Sequence, residues 1–274
     1  MTEPLKTHQP LLFLVYATAE LPAPDQDTLL MCLRDCDQTL SEAGTKIAWQ
    51  INNPQQALGE VCYGQHRIQI AGVTNPLPPD LVDRTIHTTS WQPQIKATMR
   101  HHSAHLSLVY DGAHPDPIEK MIALYQTAYA FENENLLGVI NPQAWTAHPP
   151  ADFLSPNAIR RYRQRFPFNL WIGNIKFFLD KQRYWLVTKG HHIFDVPDLA
   201  YFIQSGQSSD DIIRQFNNIF FYMYHQDVTV TAGDSLTIGE NGIPMQFREV
   251  TEYPEILMGP SGTLVIEKIN PETP

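Results

Sequence analysis

The chain has 274 residues, 43% of them hydrophobic, enough to bury a substantial core and too many for a disordered chain. Nineteen Lys and Arg against 29 Asp and Glu leave a formal charge of −10, which argues against broad electrostatic binding to nucleic acid or anionic membranes. No apolar run reaches the ~20 residues of a membrane span, residues 1–10 lack the layout of a signal peptide, and three cysteines build no disulfide framework, so a cytoplasmic protein is expected.

In chain order, residues 1–10 read as a frayed tail. Leu11 to Tyr16 is a continuous apolar run that suits a strand buried on both faces. Pro22 and Pro24 stop it, and Asp25 can cap a helix whose stripe is Leu29, Leu33, Cys36 and Leu40. Gly44 is placed to end that helix in a left-handed conformation. Cys32 and Cys36, one turn apart on it, read as small core hydrophobes. A strand over 45–51 follows, then strands 57–63 and 66–73 joined as a hairpin across Gly64-Gln65. Pro78-Pro79-Asp80 opens a helix through Ile86, broken near Trp91-Gln92-Pro93.

Residues 105–110 form another strand. Asp116-Pro117 starts a helix with Ile118, Met121, Ile122 and Tyr125 on one face, and 136–140 returns as a strand. The proline-bearing stretch 141–156 is the expected connection between an N-terminal half, 11–140, and a C-terminal half, 157–274. The second half begins with strands over 169–179, 184–188 and 199–203. Ser208 or Ser209 then caps a helix with Asp210 and Asp211 in its first turn and a core stripe of Ile212, Phe216, Ile219 and Met223. Short strands close the chain at 228–231, 236–238, 245–250 and 264–266. The expected class is α+β, with mixed, mainly antiparallel sheets and packed helices; the first half is loosely ferredoxin-like, a split β-α-β arrangement.

Seven side chains of metal-ligating type crowd into two places. His101, His102 and His105 offer an imidazole pair one turn apart if the segment is helical. His191 and His192 precede Asp195 and Asp198, a set able to hold a divalent ion such as zinc or to do acid–base work, although aspartates around Val196-Pro197 are also ordinary turn chemistry. No Gly-x-Ser-x-Gly elbow, phosphate-cradling loop or dinucleotide fingerprint occurs in the sequence, so no cofactor is expected. Arg160, Arg161, Arg163 and Arg165 surround Tyr162. In an acidic chain they read first as a solvated face or a complement to its own acidic surface, and next as a place where a protein partner docks.

Thr188-Lys189-Gly190, Phe194-Asp195-Val196-Pro197-Asp198, the helix over 212–224 and the Gly233 to Gly239 turn resemble a bacterial domain of unknown function, number 4261. Residues 102–109 with the helix over 118–129 are similar to its earlier part. The chain carries Asp195 where that pattern often has glycine, and Asp198 in place of a glutamate. The resemblance implies one family unit across both halves and supplies no activity, cofactor or catalytic residue. The expected function is therefore non-catalytic: a domain that binds or regulates another protein. The alternative is a metal-binding protein or metal-assisted hydrolase built on the His and Asp cluster.

Overall fold

A computed structural model of the chain describes residues 9–151, 153–238 and 243–269, and divides it into two units, Met1–Leu170 and Trp171–Pro274. Most of the expected N-terminal tail, and Gly239 of the expected turn, lie outside the described residues. Both units mix helices with mostly antiparallel sheet, an α+β architecture. Among the described residues no helix is long and apolar enough to cross a membrane.

The first unit contains β1 (Leu11–Tyr16), α1 (Gln26–Cys36), β2 (Thr45–Asn53), β3 (Gln56–Tyr63), β4 (His66–Val73), α2 (Pro79–His87), α3 (Pro93–Arg100), β5 (Ala104–Tyr110), α4 (Pro117–Ala130), β6 (Leu136–Asn141), β7 (Thr146–His148) and α5 (Pro156–Arg161). Its sheet has the order β2-β3-β4-β5-β1-β6-β7. Strand β1 pairs antiparallel with both β5 and β6, so these two run in the same direction with α4 as their crossover. That is a split β-α-β unit, with β1 as the inserted strand.

Burial on both faces of β1 explains its unbroken apolar sequence. Leu12, Leu14 and Tyr16 are buried on one side; on the other, Val15 joins Val82, Ile86 and Met99 of α2 and α3. Helix α4 packs on α1, α5 and strands β1, β4 and β5, and ten of its residues are buried. Asp116 caps it through the Ile118 amide at 2.8 Å, with Pro117 in the first turn.

Helix α1 stops earlier than its apolar stripe suggests. Asp37 turns its carboxylate to the Thr39 amide (3.0 Å) and hydroxyl (2.6 Å), an aspartate turn that ends the helix at Cys36. Gly44 instead closes a short 3₁₀ turn, Glu42–Gly44. The break at Trp91 separates two helices, and the Trp91 indole donates to the Ala147 carbonyl at 2.8 Å. The proline-bearing stretch belongs to the first unit. Its residues 146–148 pair with β6 as β7, and the Thr146 hydroxyl donates to the Leu170 carbonyl at 2.6 Å. The division between units falls later, after Leu170.

The short helix α6 (Phe168–Trp171) replaces the start of the strand expected over 169–179; Pro167 just before it suits a helix start. The second unit then runs β8 (Gly173–Phe178), β9 (Tyr184–Lys189), β10 (Asp198–Ile203), α7 (Ser209–Gln226), β11 (Ser235–Ile238), β12 (Ile243–Arg248), α8 (Pro254–Leu257) and β13 (Thr263–Lys268). Its sheet has the order β11-β12-β13-β10-β9-β8, in which β10 and β13 form a parallel pair. Residues 228–231 form no strand. The Thr231 amide and hydroxyl both go to Asp234 Oδ2, at 2.7 and 3.0 Å, which removes the donor a ladder would use.

Helix α7 buries Ile212, Phe216, Ile219, Phe220 and Met223. Ser208 is its cap, with the hydroxyl accepting from the Asp211 amide, whereas the Ser209 hydroxyl accepts from Lys176 Nζ. Ser208→Ala should therefore cost about 1 kcal/mol in urea unfolding and Ser209→Ala clearly less; equal effects would contradict this assignment of the cap.

Candidate functional site

Strand β9 passes into β10 through a turn bracketed by two left-handed residues, Gly190 (φ 109°) and Asp195 (φ 57°). Glycine takes that conformation freely and aspartate is among the few other residues that tolerate it. The reversal brings Thr188, Lys189, His191 and Asp198 together, all of them buried.

Asp198 Oδ1 accepts from the Thr188 hydroxyl and the His191 amide, each at 3.3 Å, and the Asp198 amide donates to the Gly262 carbonyl at 3.1 Å. Asp198 Oδ2 has no hydrogen-bond partner among the described residues and lies against Gly259, where an added Cβ would stand 2.1 Å from it. Only glycine fits there. Lys189 Nζ donates to the carbonyls of Leu257 and Met258, each at 3.1 Å. The Thr263 hydroxyl donates to Leu257 O and accepts from the Gly259 amide, both at 2.9 Å. His191 donates Nδ1–H to the Pro197 carbonyl at 2.9 Å, and its ring packs 5.0 Å from Phe220.

Burial sets the electrostatics of this cluster. It raises the Asp198 carboxyl to about 7, with Lys189 and the hydrogen bonds pulling the other way. It also lowers the Lys189 ammonium, partly offset by Asp198, and pushes His191 down to about 4. With Asp198 only 1% exposed, the cluster is closed to a substrate, and apart from the Thr188–Asp198 bond these hydrogen bonds run to backbone. What it holds in place is the turn over residues 257–263.

That turn forms one wall of a groove of about 530 Å³. The irregular segment 229–232 also lines it, together with Pro197, Val250 and Leu264. The β12–β13 ladder ends at Arg248 opposite Val265, and the groove opens where Glu249 and Val250 leave the sheet. Apolar surface comes from Val230, Val250, Met258 and Leu264. Among the described residues Asp195 and Glu249 are its charged ones, and no lysine or arginine lines it.

The other expected site residues are dispersed. His101 caps α3 and His105 lies on β5, so the one-turn spacing of a helix is lost. His102 accepts the Leu77 amide on Nε2 (2.7 Å) and donates Nδ1–H to Met99 O (2.9 Å), leaving no lone pair for an ion. His105 donates to Asn75 O at 2.8 Å. His192 is buried near His191, in the other unit from His101, His102 and His105. Among the described residues, no three His, Cys, Asp or Glu side chains are grouped so as to hold a metal ion.

Of the arginines, Arg163 forms a bidentate pair with Glu119 (2.7 and 2.8 Å), and Arg160 donates to Asp35 O and Asn157 Oδ1. These two complement the chain's own acidic and carbonyl groups, whereas Arg161 and Arg165 are exposed. Lys189, Gly259 and Glu249 are not among the site residues expected from the sequence. A lysine ending an apolar strand was the one local signal of burial; nothing local marks a groove made from four separate segments.

Comparison with known protein families, curated proteins and solved structures finds no match to this chain.

Proposed function

We propose that this protein is a non-catalytic domain that binds another protein, and that the groove of the second unit receives the partner. The groove itself carries the reading. Its volume of about 530 Å³ is in the range of ligand-binding clefts, and among the described residues it combines apolar walls with two carboxylates and no lining cation. A peptide segment presenting a large apolar side chain beside Lys or Arg complements it in both respects. The imidazoles that look reactive support the same reading, because His102, His105 and His191 spend ring nitrogens on backbone groups. Membership of the bacterial domain family number 4261 and a cytoplasmic setting belong to this proposal, and neither supplies an activity.

The test compares two acetylated octapeptides by calorimetry, one carrying Phe-Leu followed by two lysines and its twin carrying two glutamates. The lysine peptide should bind and the glutamate twin should not, with affinity falling as salt is raised. Glu249→Lys combined with Asp195→Asn should abolish binding without lowering the melting temperature; asparagine is chosen because it tolerates the left-handed backbone at 195. Equal binding of both peptides, or of neither, overturns the proposal. Stoichiometric zinc in untagged protein, lost in His191→Asn, would favour the metal-centred alternative instead.

A further inference from the structure

The most exposed large apolar side chain among the described residues is Phe178, 65% accessible at the end of β8, and Leu179 beside it is 40% accessible. Lys176, Lys181 and Arg183 surround this hairpin tip and Asp180 is its one acid, a local excess of positive charge in a chain of net charge −10. The tip is held in shape. Asp180 Oδ1 accepts the amides of Gln182 and Arg183, each at 2.9 Å, and Asp180 Oδ2 accepts Arg183 Nε at 2.7 Å. The Phe178 ring lies 5.0 Å from Tyr184, whose own ring lies beneath Lys176 Nζ at 5.5 Å. A fixed apolar projection loses little side-chain entropy when it docks.

We infer that the occupant of the groove is a second copy of this chain, inserted through the tip of its β8–β9 hairpin. This inference rests on the protein-binding reading of the groove. Polarity and sign match on the two surfaces: Phe178 and Leu179 meet the Val230, Val250 and Leu264 side, and Lys181 and Arg183 meet Asp195 and Glu249. The tip and the groove are different surfaces of the same unit, so the contact is head-to-tail and propagates into rings or open chains of copies. A single hairpin tip buries less than a standard interface, and the expected Kd is on the order of 100 μM.

Sedimentation equilibrium from about 10 μM to about 1 mM brackets that Kd and tests the arrangement with the full chain. Wild-type protein should gain average mass with concentration. Phe178→Asp alone and Glu249→Lys alone should each stay monomeric. Mixed one to one, the two variants should form a dimer and nothing larger, because the mixture retains one tip-and-groove pair. Wild-type protein that stays monomeric throughout, or a mixture that stays monomeric or grows beyond a dimer, overturns the inference. Binding of the lysine octapeptide by Phe178→Asp separates the two ideas. If it binds while the wild type does not self-associate, only the choice of occupant fails; if it does not bind, the groove reading fails as well.

Discussion

Replacing Phe216 by alanine is expected to destabilise the second unit by ~3–5 kcal/mol, the usual range for deleting a packed aromatic ring. Phe216 is 1% exposed, at the middle of the α7 face that also buries Ile212, Ile219, Phe220 and Met223. The loss combines the transfer free energy of the ring with the cavity it leaves, and α7 can close little of that cavity because neighbouring large side chains are already in place. Tyr222, 39% exposed on the outward side of the same helix, is the control: Tyr222→Ala should change stability by no more than ~0.5 kcal/mol. Urea unfolding followed by tryptophan fluorescence reads both. A small effect at 216 with a large one at 222 would mean that α7 is rotated about its axis.

Acid should unfold this protein through its buried imidazoles. His148 and His191 are both held near 4 by burial, well below the ~6.5 of an unfolded histidine. Each is therefore neutral in the folded state at a pH where the unfolded chain binds a proton. Their contribution is complete above about pH 6.5 and is lost as pH falls toward 4, by up to roughly 3 kcal/mol per residue. His148 has little room to accommodate a proton: Nδ1–H donates to Pro149 O and Nε2 accepts from the Tyr125 hydroxyl, both at 2.9 Å.

Asp198 works in the opposite sense. Its carboxyl is raised to about 7, so the stability tied to its proton is lost as pH rises from about 4 through 7. Unfolding free energy measured from pH 4 to 8 should thus rise less steeply between about 4 and 6.5 in His148→Gln, and more steeply over the same range in Asp198→Asn, which also removes the decline left between about 6.5 and 7. If neither variant changed the profile, these groups would not be the ones that titrate.

The elements most legible in the sequence are those whose signals are local. The apolar run of β1, the Asp116-Pro117 start of α4, the Gly64 turn between β3 and β4 and the Ser208 cap of α7 each depend on a few adjacent residues. Local signals misled where a side chain redirected the backbone, as Asp37 does at the end of α1 and Asp234 does beside residues 228–231. The candidate site was half legible. His191, Asp195 and Asp198 drew attention for their chemistry, yet their role here follows from burial and from a partner segment some sixty residues later. The parallel pairing of β10 with β13 brings residues 257–264 to Pro197, and no periodicity in either stretch announces it.

The most direct test of the whole account is a nitrogen-15 correlation spectrum of the protein titrated with the lysine octapeptide. The amides that shift should be those of residues 229–232, 249–250, 258–259 and 261–264, and they should saturate together on one binding curve. Shifts gathered instead around Arg161 and Arg165, or at His101 and His105, or no shifts at all, would contradict the claim that this groove is where the protein meets its partner.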